Sequence, residues 1–222
     1  MNATQRPRVK ICCIGSREEA ALAIECGASA LGLVSQMPSG PGVIRDELIA
    51  QIAATIPPAI GTFLLTSRQS AKDIVSQQRS CRTNTIQICD HLTLGTHREV
   101  KSALPGISVV QVIHVTGPES VEEAVQIAPF VDAVLLDSGN QKLQVKELGG
   151  TGRTHDWSLS RQIREQIPVP LFLAGGLTPD NVAQAISAVR PFGLDVCSGV
   201  RTNGKLDADK LAGFFAAVRA AA

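Results

Sequence analysis

Tyrosine is missing altogether, tryptophan occurs once and phenylalanine six times, so aromatics make up only 3% of the 222 residues. A surface that stacks nucleic-acid bases is therefore not expected. Basic character is also missing: the net charge is +1 and no run of five or more cations occurs. That argues against nucleic acid as a partner. No apolar stretch approaches the ~18 residues that read as a membrane span, and the opening "MNATQRPR" has no apolar core of a secretory signal. Six cysteines are present, but none is spaced as Cys-x-x-Cys. Neither a disulfide framework nor a structural zinc site is expected from such spacing in a chain of this size. A reduced, cytoplasmic protein with no membrane partner is the expectation.

What is present is alternation. Short β-branched runs recur at 8–13, 30–35, 60–66, 85–90, 108–115, 131–137, 170–176 and 194–200. Nearly all are apolar on both faces, as strands of a parallel sheet covered on both sides must be. Helix signals separate them. Ser16 with Glu19 three residues on reads as a capping box, Gly27 as its stop, "DELIAQIAATI" (46–56) has helical spacing, and Thr178-Pro179 reads as an N-cap followed by proline. "DADKLAGFFAAVRAA" gives a last helix. An open doubly wound sheet fits the alternation too, but eight units in 222 residues favour a closed α/β barrel. Residues 1–222 are therefore expected to form a single (β/α)8 TIM-barrel domain.

Barrel chemistry belongs at the C-terminal ends of the strands, and that rule sorts the polar residues. The glycine runs "AGGLTPDN" (174–181) and "CSGVRTNG" (197–204) follow strands seven and eight, where backbone N–H groups can meet a phosphate. Gly175, Gly176, Ser198 and Gly199 are the candidates. "ELGGTGRTHDW" (147–157), with Gly149, Gly150 and Gly152, reads either as a lid over a substrate or as a plain connection. Asp137 ends strand six with the parity of the inward residues, placed either to donate a proton or to cap a helix. In "RVKICC", Lys10 and Cys12 share parity. A lysine nearby favours a thiolate, which makes Cys12 a candidate nucleophile or base; the alternative is plain packing. Cys13, of opposite parity, is expected to face the helix layer. Cys12, Cys89, Asp90, His91 and His114 match no standard zinc pattern, so no metal is expected.

The motifs "VKICCIGSREEA", "GASALGLV", "VDAVLLDS", "GGTGRTHDW", "AGGLTPDNV" and "LDVCSGV", in order from Val9 to Val200, resemble the phosphoribosylanthranilate isomerase family of tryptophan biosynthesis. The resemblance implies a (β/α)8 barrel and a cofactor-free Amadori rearrangement of a phosphorylated aminoaldose to an aminoketose. It implies that Cys12 is the base acting on the sugar carbon beside the anomeric one. It implies that Asp137 is the acid that protonates the ring oxygen, and that Gly175, Gly176, Ser198 and Gly199 hold the phosphate. Lys10 and Gly149, Gly150 and Gly152 join these as substrate-side residues. The partner would be a small-molecule phosphosugar, and the assembly a monomer or homodimer.

The chain departs from the family pattern at particular places. Cys13 stands for a glycine, Pro41 for the arginine that reads the anthranilate carboxylate, "QICD" for Q-L-H-G, His155 for phenylalanine and Arg201 for glutamate. Arg45 lies near Pro41 but is expected to start a helix. The proton-transfer pair and phosphate cradle are kept while the aromatic-acid reader has changed. The alternatives are thus an isomerase of a different phosphosugar derivative, or a non-catalytic phosphosugar-binding relative.

Overall fold

A computed structural model describes residues 6–141 and 143–221. The ends of the expected domain, residues 1–5 and 222, lie outside that range. Eight parallel strands close into a barrel in sequence order, with β8 pairing back to β1. They are β1 (Arg8–Ile11), β2 (Ala30–Val34), β3 (Gly61–Thr66), β4 (Thr85–Ile88), β5 (Ser108–His114), β6 (Ala133–Asp137), β7 (Leu171–Leu173) and β8 (Gly193–Val196). Around them lie α1 (Arg17–Glu25), α2 (Asp46–Ala53), α3 (Ala71–Cys81), α4 (His97–Ala103), α5 (Glu119–Ile127), α6 (Trp157–Gln166), α7 (Val182–Val189) and α8 (Ala208–Ala220). The (β/α)8 expectation holds. A two-stranded ribbon, β9 (Arg201–Thr202) with β10 (Lys205–Leu206), was not expected from the sequence. Among the described residues no helix is long and apolar enough to cross a membrane.

Two cores follow from strand parity. One set of alternating residues, such as Ile11, Leu31, Leu64, Ile86, Val109 and Leu136, packs under the helices. The opposite set fills the barrel and includes Phe63, Leu65, Val112, Leu135 and Phe172. Inside the barrel the rings of Phe63 and Phe172 pack edge to face, 5.8 Å apart. Gly193 is required there, since a Cβ would lie 2.5 Å from the Phe172 ring.

Helix starts follow local chemistry. Ser16 caps α1 by accepting from Glu19 N at 3.2 Å, while the Glu19 carboxylate turns back one residue further, to Gly15 N at 3.0 Å. Gly27 ends that helix region with φ +110°. Thr178 is not the cap of α7: Asn181 is. The Asn181 side chain accepts from Thr178 N and donates to Gly176 O, each at 2.9 Å, and this turns the chain once before the helix begins.

Candidate active site

The first strand presents the central arrangement. Lys10 and Cys12 point into the barrel, as parity requires. Lys10 is fully enclosed, and its Nζ donates to Asp195 Oδ2 at 2.8 Å and to Cys12 Sγ at 3.6 Å. The same ammonium sits 5.3 Å from the centre of the Phe63 ring. A buried lysine needs space as well as a counter-charge, and Gly32 on β2 provides it. A Cβ there would lie 2.8 Å from Cys12 Sγ and 3.0 Å from Lys10 Nζ. Burial alone would lower the Lys10 pKa, but Asp195 and Cys12 outweigh it and hold the ammonium charged well above the usual lysine range. Asp195 is a residue that the sequence reading missed. Its signal was an acid inside an otherwise apolar strand, with the parity of the inward set.

Asp137 closes β6, directly beside His114 of β5 in the strand register. It is 8% exposed, and its Oδ1 accepts from Ser138 N at 2.7 Å. Burial pushes its carboxyl up from the ordinary aspartate value, against the opposing pull of that N–H, His114 and Lys10. A carboxyl so placed retains a proton to higher pH, which suits an acid.

Above these strands opens a cup. Cys12, Asp137 and Asp195 lie at its base, and Gly175, Gly176 and Ser198 on one wall. Gly149, Gly150 and Gly152 lie across it from the 138–156 loop. Gly149, Gly150 and Gly176 allow close approaches. A Cβ on Gly149 would lie 2.7 Å from Asp137 Oδ2, and one on Gly176, where φ is +62°, would lie 2.7 Å from Thr154 N. The loop is pinned across the mouth by Ser39 Oγ donating to Lys146 O at 2.6 Å, and is tied within itself by Ser138 Oγ against Thr151 Oγ1 at 2.7 Å. Arg153 also pairs with Glu147.

Two of the expected substrate contacts do not face the cup. Lys10 is sealed beneath it by Cys12 and Asp195, so its position serves those side chains. Gly199 sits behind the wall, where a Cβ would strike Leu177 O at 1.9 Å; it lets two loops pack together. Cys13 is the clear correction. Its backbone is left-handed, φ +62°, and so its side chain leaves the strand parity and turns to the rim instead of the helix layer. Arg201 holds that turn by donating to Cys12 O at 3.2 Å and Cys13 O at 2.6 Å while paired with Glu19 Oε1 at 2.8 Å.

The five residues weighed as metal ligands do not converge. Asp90 binds Lys146 Nζ at 2.6 Å, His91 is an exposed partner of Glu123, and His114 Nε2 meets Cys89 O at 3.0 Å. His155 turns away to Ser160 Oγ at 2.7 Å, and burial lowers its pKa to about 4, so it is neutral near pH 7. Arg45 caps α2, as expected, and Pro41 faces the cup in its place.

The family model described as N-(5'-phosphoribosyl)anthranilate (PRA) isomerase matches residues 9–217. The chain belongs to this family. It is 34% identical over 209 residues to N-(5'-phosphoribosyl)anthranilate isomerase 2 of Methanosarcina mazei, covering 93% of this chain and 92% of that one. A phosphoribosyl anthranilate isomerase from Thermotoga maritima superposes with a TM-score of 0.81 at 30% identity, over 96% of this chain and 99% of the other. Another solved isomerase, holding reduced 1-(o-carboxyphenylamino)-1-deoxyribulose 5-phosphate, superposes at 0.78 with 29% identity, over 96% and 99%. Membership in the isomerase family makes the chain an enzyme of intramolecular rearrangement and accounts for a cup in which a sulfur, an acid and a glycine wall face one space.

Proposed function

We propose that the chain converts N-(5-phosphoribosyl)anthranilate to its 1-deoxyribulose phosphate ketoamine. The observation that carries this reading is that the Cys12 sulfur and the Asp137 carboxyl line the same cup as the Gly175–Gly176 wall. Asp137 gives its proton to the ribose ring oxygen. The bond from that oxygen to the anomeric carbon breaks as the amine nitrogen lone pair forms the Schiff base. Cys12 then removes the proton from the neighbouring carbon, leaving an enolamine that becomes the ketone. Lys10 is a positioning residue that sets a positive charge beside the sulfur. Backbone N–H groups around Gly175, Gly176 and Ser198 receive the phosphate, with Gly199 keeping their loops in contact. Gly149, Gly150 and Gly152 cover the sugar and exclude water. The chemistry is all proton transfer, so the reading includes no cofactor. It places residues 1–222 in one domain, acting as a monomer or homodimer in the cytoplasm.

Incubation with phosphoribosylanthranilate should abolish the substrate's fluorescence, and Cys12→Ala should slow that decay by about 10²–10⁴-fold, the usual contribution of a positioned base. A Cys12→Ala protein as fast as the parent would overturn the assignment. Independently, inorganic phosphate should raise the melting temperature, since a ligand that binds only the folded state stabilises it by mass action. At a phosphate concentration 100 times its dissociation constant the gain corresponds to about 2.7 kcal/mol. A melting curve unmoved by phosphate or sulfate counts against the glycine wall as an anion site.

One observation favours a second reading of the substrate. Among the described residues lining the cup there is no lysine or arginine, and Pro41 occupies the β2–α2 side. Turnover of a phosphoribosylated amine without a carboxylate, faster than that of phosphoribosylanthranilate, would support an isomerase of a different phosphosugar derivative.

A further inference from the structure

Cys13 and Cys197 come from opposite ends of the chain and meet at the rim, where β1 and β8 are neighbours. Their sulfur atoms are 2.7 Å apart. Cys13 reaches that position only through its left-handed backbone, φ +62°, and Arg201 fixes the turn through the Cys12 and Cys13 carbonyls. Both thiols line the cup, and Cys197 is half-buried, so a small solute reaches the pair from the open side. Cys12 lines the same cup beside Cys13, but its sulfur is held by the Lys10 ammonium at 3.6 Å. Cys26 and Cys81 lie in the helix layer, Cys81 against Asp46 O, and Cys89 is buried on Gln87.

We propose that Cys13 and Cys197 form a reversible disulfide that ties the β1–α1 turn to the β8 loop when the protein meets a mild oxidant such as hydrogen peroxide. The sulfurs need to close by less than about 1 Å to reach the ~2.05 Å of a disulfide, so the rim is preorganised for the bond. The chemistry divides between the two sulfurs. The hydrogen bond between the two sulfurs holds Cys197 below the usual thiol range, aided by Arg201. Hydrogen bonding to the Cys12 and Cys197 sulfurs, with burial, pushes Cys13 up. Cys197 is therefore the nucleophile and Cys13 the resolving thiol. The Cys197 sulfur attacks one peroxide oxygen; the O–O bond breaks and the departing hydroxide takes a proton to leave as water. Cys13 then attacks the resulting sulfenic sulfur. The S–S bond forms, the S–O bond breaks, and the hydroxide leaves with the Cys13 proton as a second water. Two thiols lose two electrons and two protons, and one peroxide becomes two waters.

The test needs no turnover, so it stands or falls apart from the isomerase assignment. The reduced full-length protein is treated with a small excess of hydrogen peroxide, quenched with N-ethylmaleimide and mapped by mass spectrometry under denaturing conditions. Two of the six thiols should be protected from alkylation, leaving four. The mass before alkylation should fall by about 2 Da, the two hydrogens lost in closing the bond. A peptide carrying Cys12 and Cys13 should be joined to one carrying Cys197, and dithiothreitol should undo the link. Cys12→Ser should keep the cross-link, whereas Cys13→Ser and Cys197→Ser should each abolish it. The cross-link closes a long chain segment, so the oxidised form should also melt higher than the reduced one. A link that survives Cys13→Ser, a bond between Cys12 and Cys13, or six alkylated thiols after peroxide would each overturn the proposal.

Discussion

Asp137→Asn is expected to slow turnover by about 10²–10⁴-fold while raising the melting temperature at neutral pH. The two effects have one cause. Asparagine keeps the shape of the side chain and an oxygen to accept from Ser138 N, now at 2.7 Å from Asp137 Oδ1. It has no proton to give to a ring oxygen, and it has no charge to desolvate. Burial holds the Asp137 carboxyl above its ordinary value in the folded chain. The folded state therefore binds that proton more tightly than the unfolded state does. The stability this supplies is complete below the unfolded value, about 3.9, and is lost as pH rises through the raised folded value. At neutral pH the wild type carries the penalty and Asp137→Asn does not. The gain should be largest above the folded pKa and shrink toward pH ~4. Each 1 kcal/mol recovered moves the midpoint by about 2–4 °C in a chain of this size. Paired melting curves at acid and neutral pH, with the fluorescence assay, check both halves. An Asp137→Asn protein that melts lower at neutral pH would mean that the carboxylate is held by partners and does not act as a desolvated acid.

The position of Asp137 was legible because one rule placed it: it ends an apolar strand with inward parity, and barrel sites lie at such ends. The same rule placed Cys12, Gly175, Gly176 and Ser198 on the cup. Parity failed at Cys13, where it presumed extended backbone two residues beyond the point at which β1 stops, at Ile11. The left-handed turn is fixed by Arg201, which lies 188 residues further along, and no local pattern could announce it. The small β9–β10 ribbon was missed for a related reason: two-residue strands carry no periodicity. The start of α7 slipped because Thr178-Pro179 has the local signature of a cap, while the Asn181 side chain bonds back to Thr178 N and Gly176 O and the helix begins only after it. Element identity was written in local pattern. Side-chain partnerships across the barrel, such as Lys10 with Asp195, were not.

That partnership carries the other large effect. Lys10→Met should lower the melting temperature by about 10 °C, because removing one member of a buried ion pair costs roughly 3–5 kcal/mol. The loss is asymmetric. Methionine fills the space below Cys12 and against Phe63, but Asp195 is 8% exposed and its other oxygen, Oδ1, is buried with no partner. Without the ammonium at 2.8 Å, its carboxylate has nothing to offset desolvation. The double variant Lys10→Met/Asp195→Asn removes the orphaned charge and should recover most of the stability, a coupling that a double-mutant cycle measures directly. Turnover should not recover with it. Cys12 Sγ lies 3.6 Å from the ammonium, and neither methionine nor asparagine returns a positive charge to that place. Stability regained with activity still depressed separates the two tasks of Lys10: neutralising Asp195 and charging the surroundings of the sulfur. If the double variant regained both, the lysine would be only a structural counter-ion, and the sulfur would have to work as a base without its help.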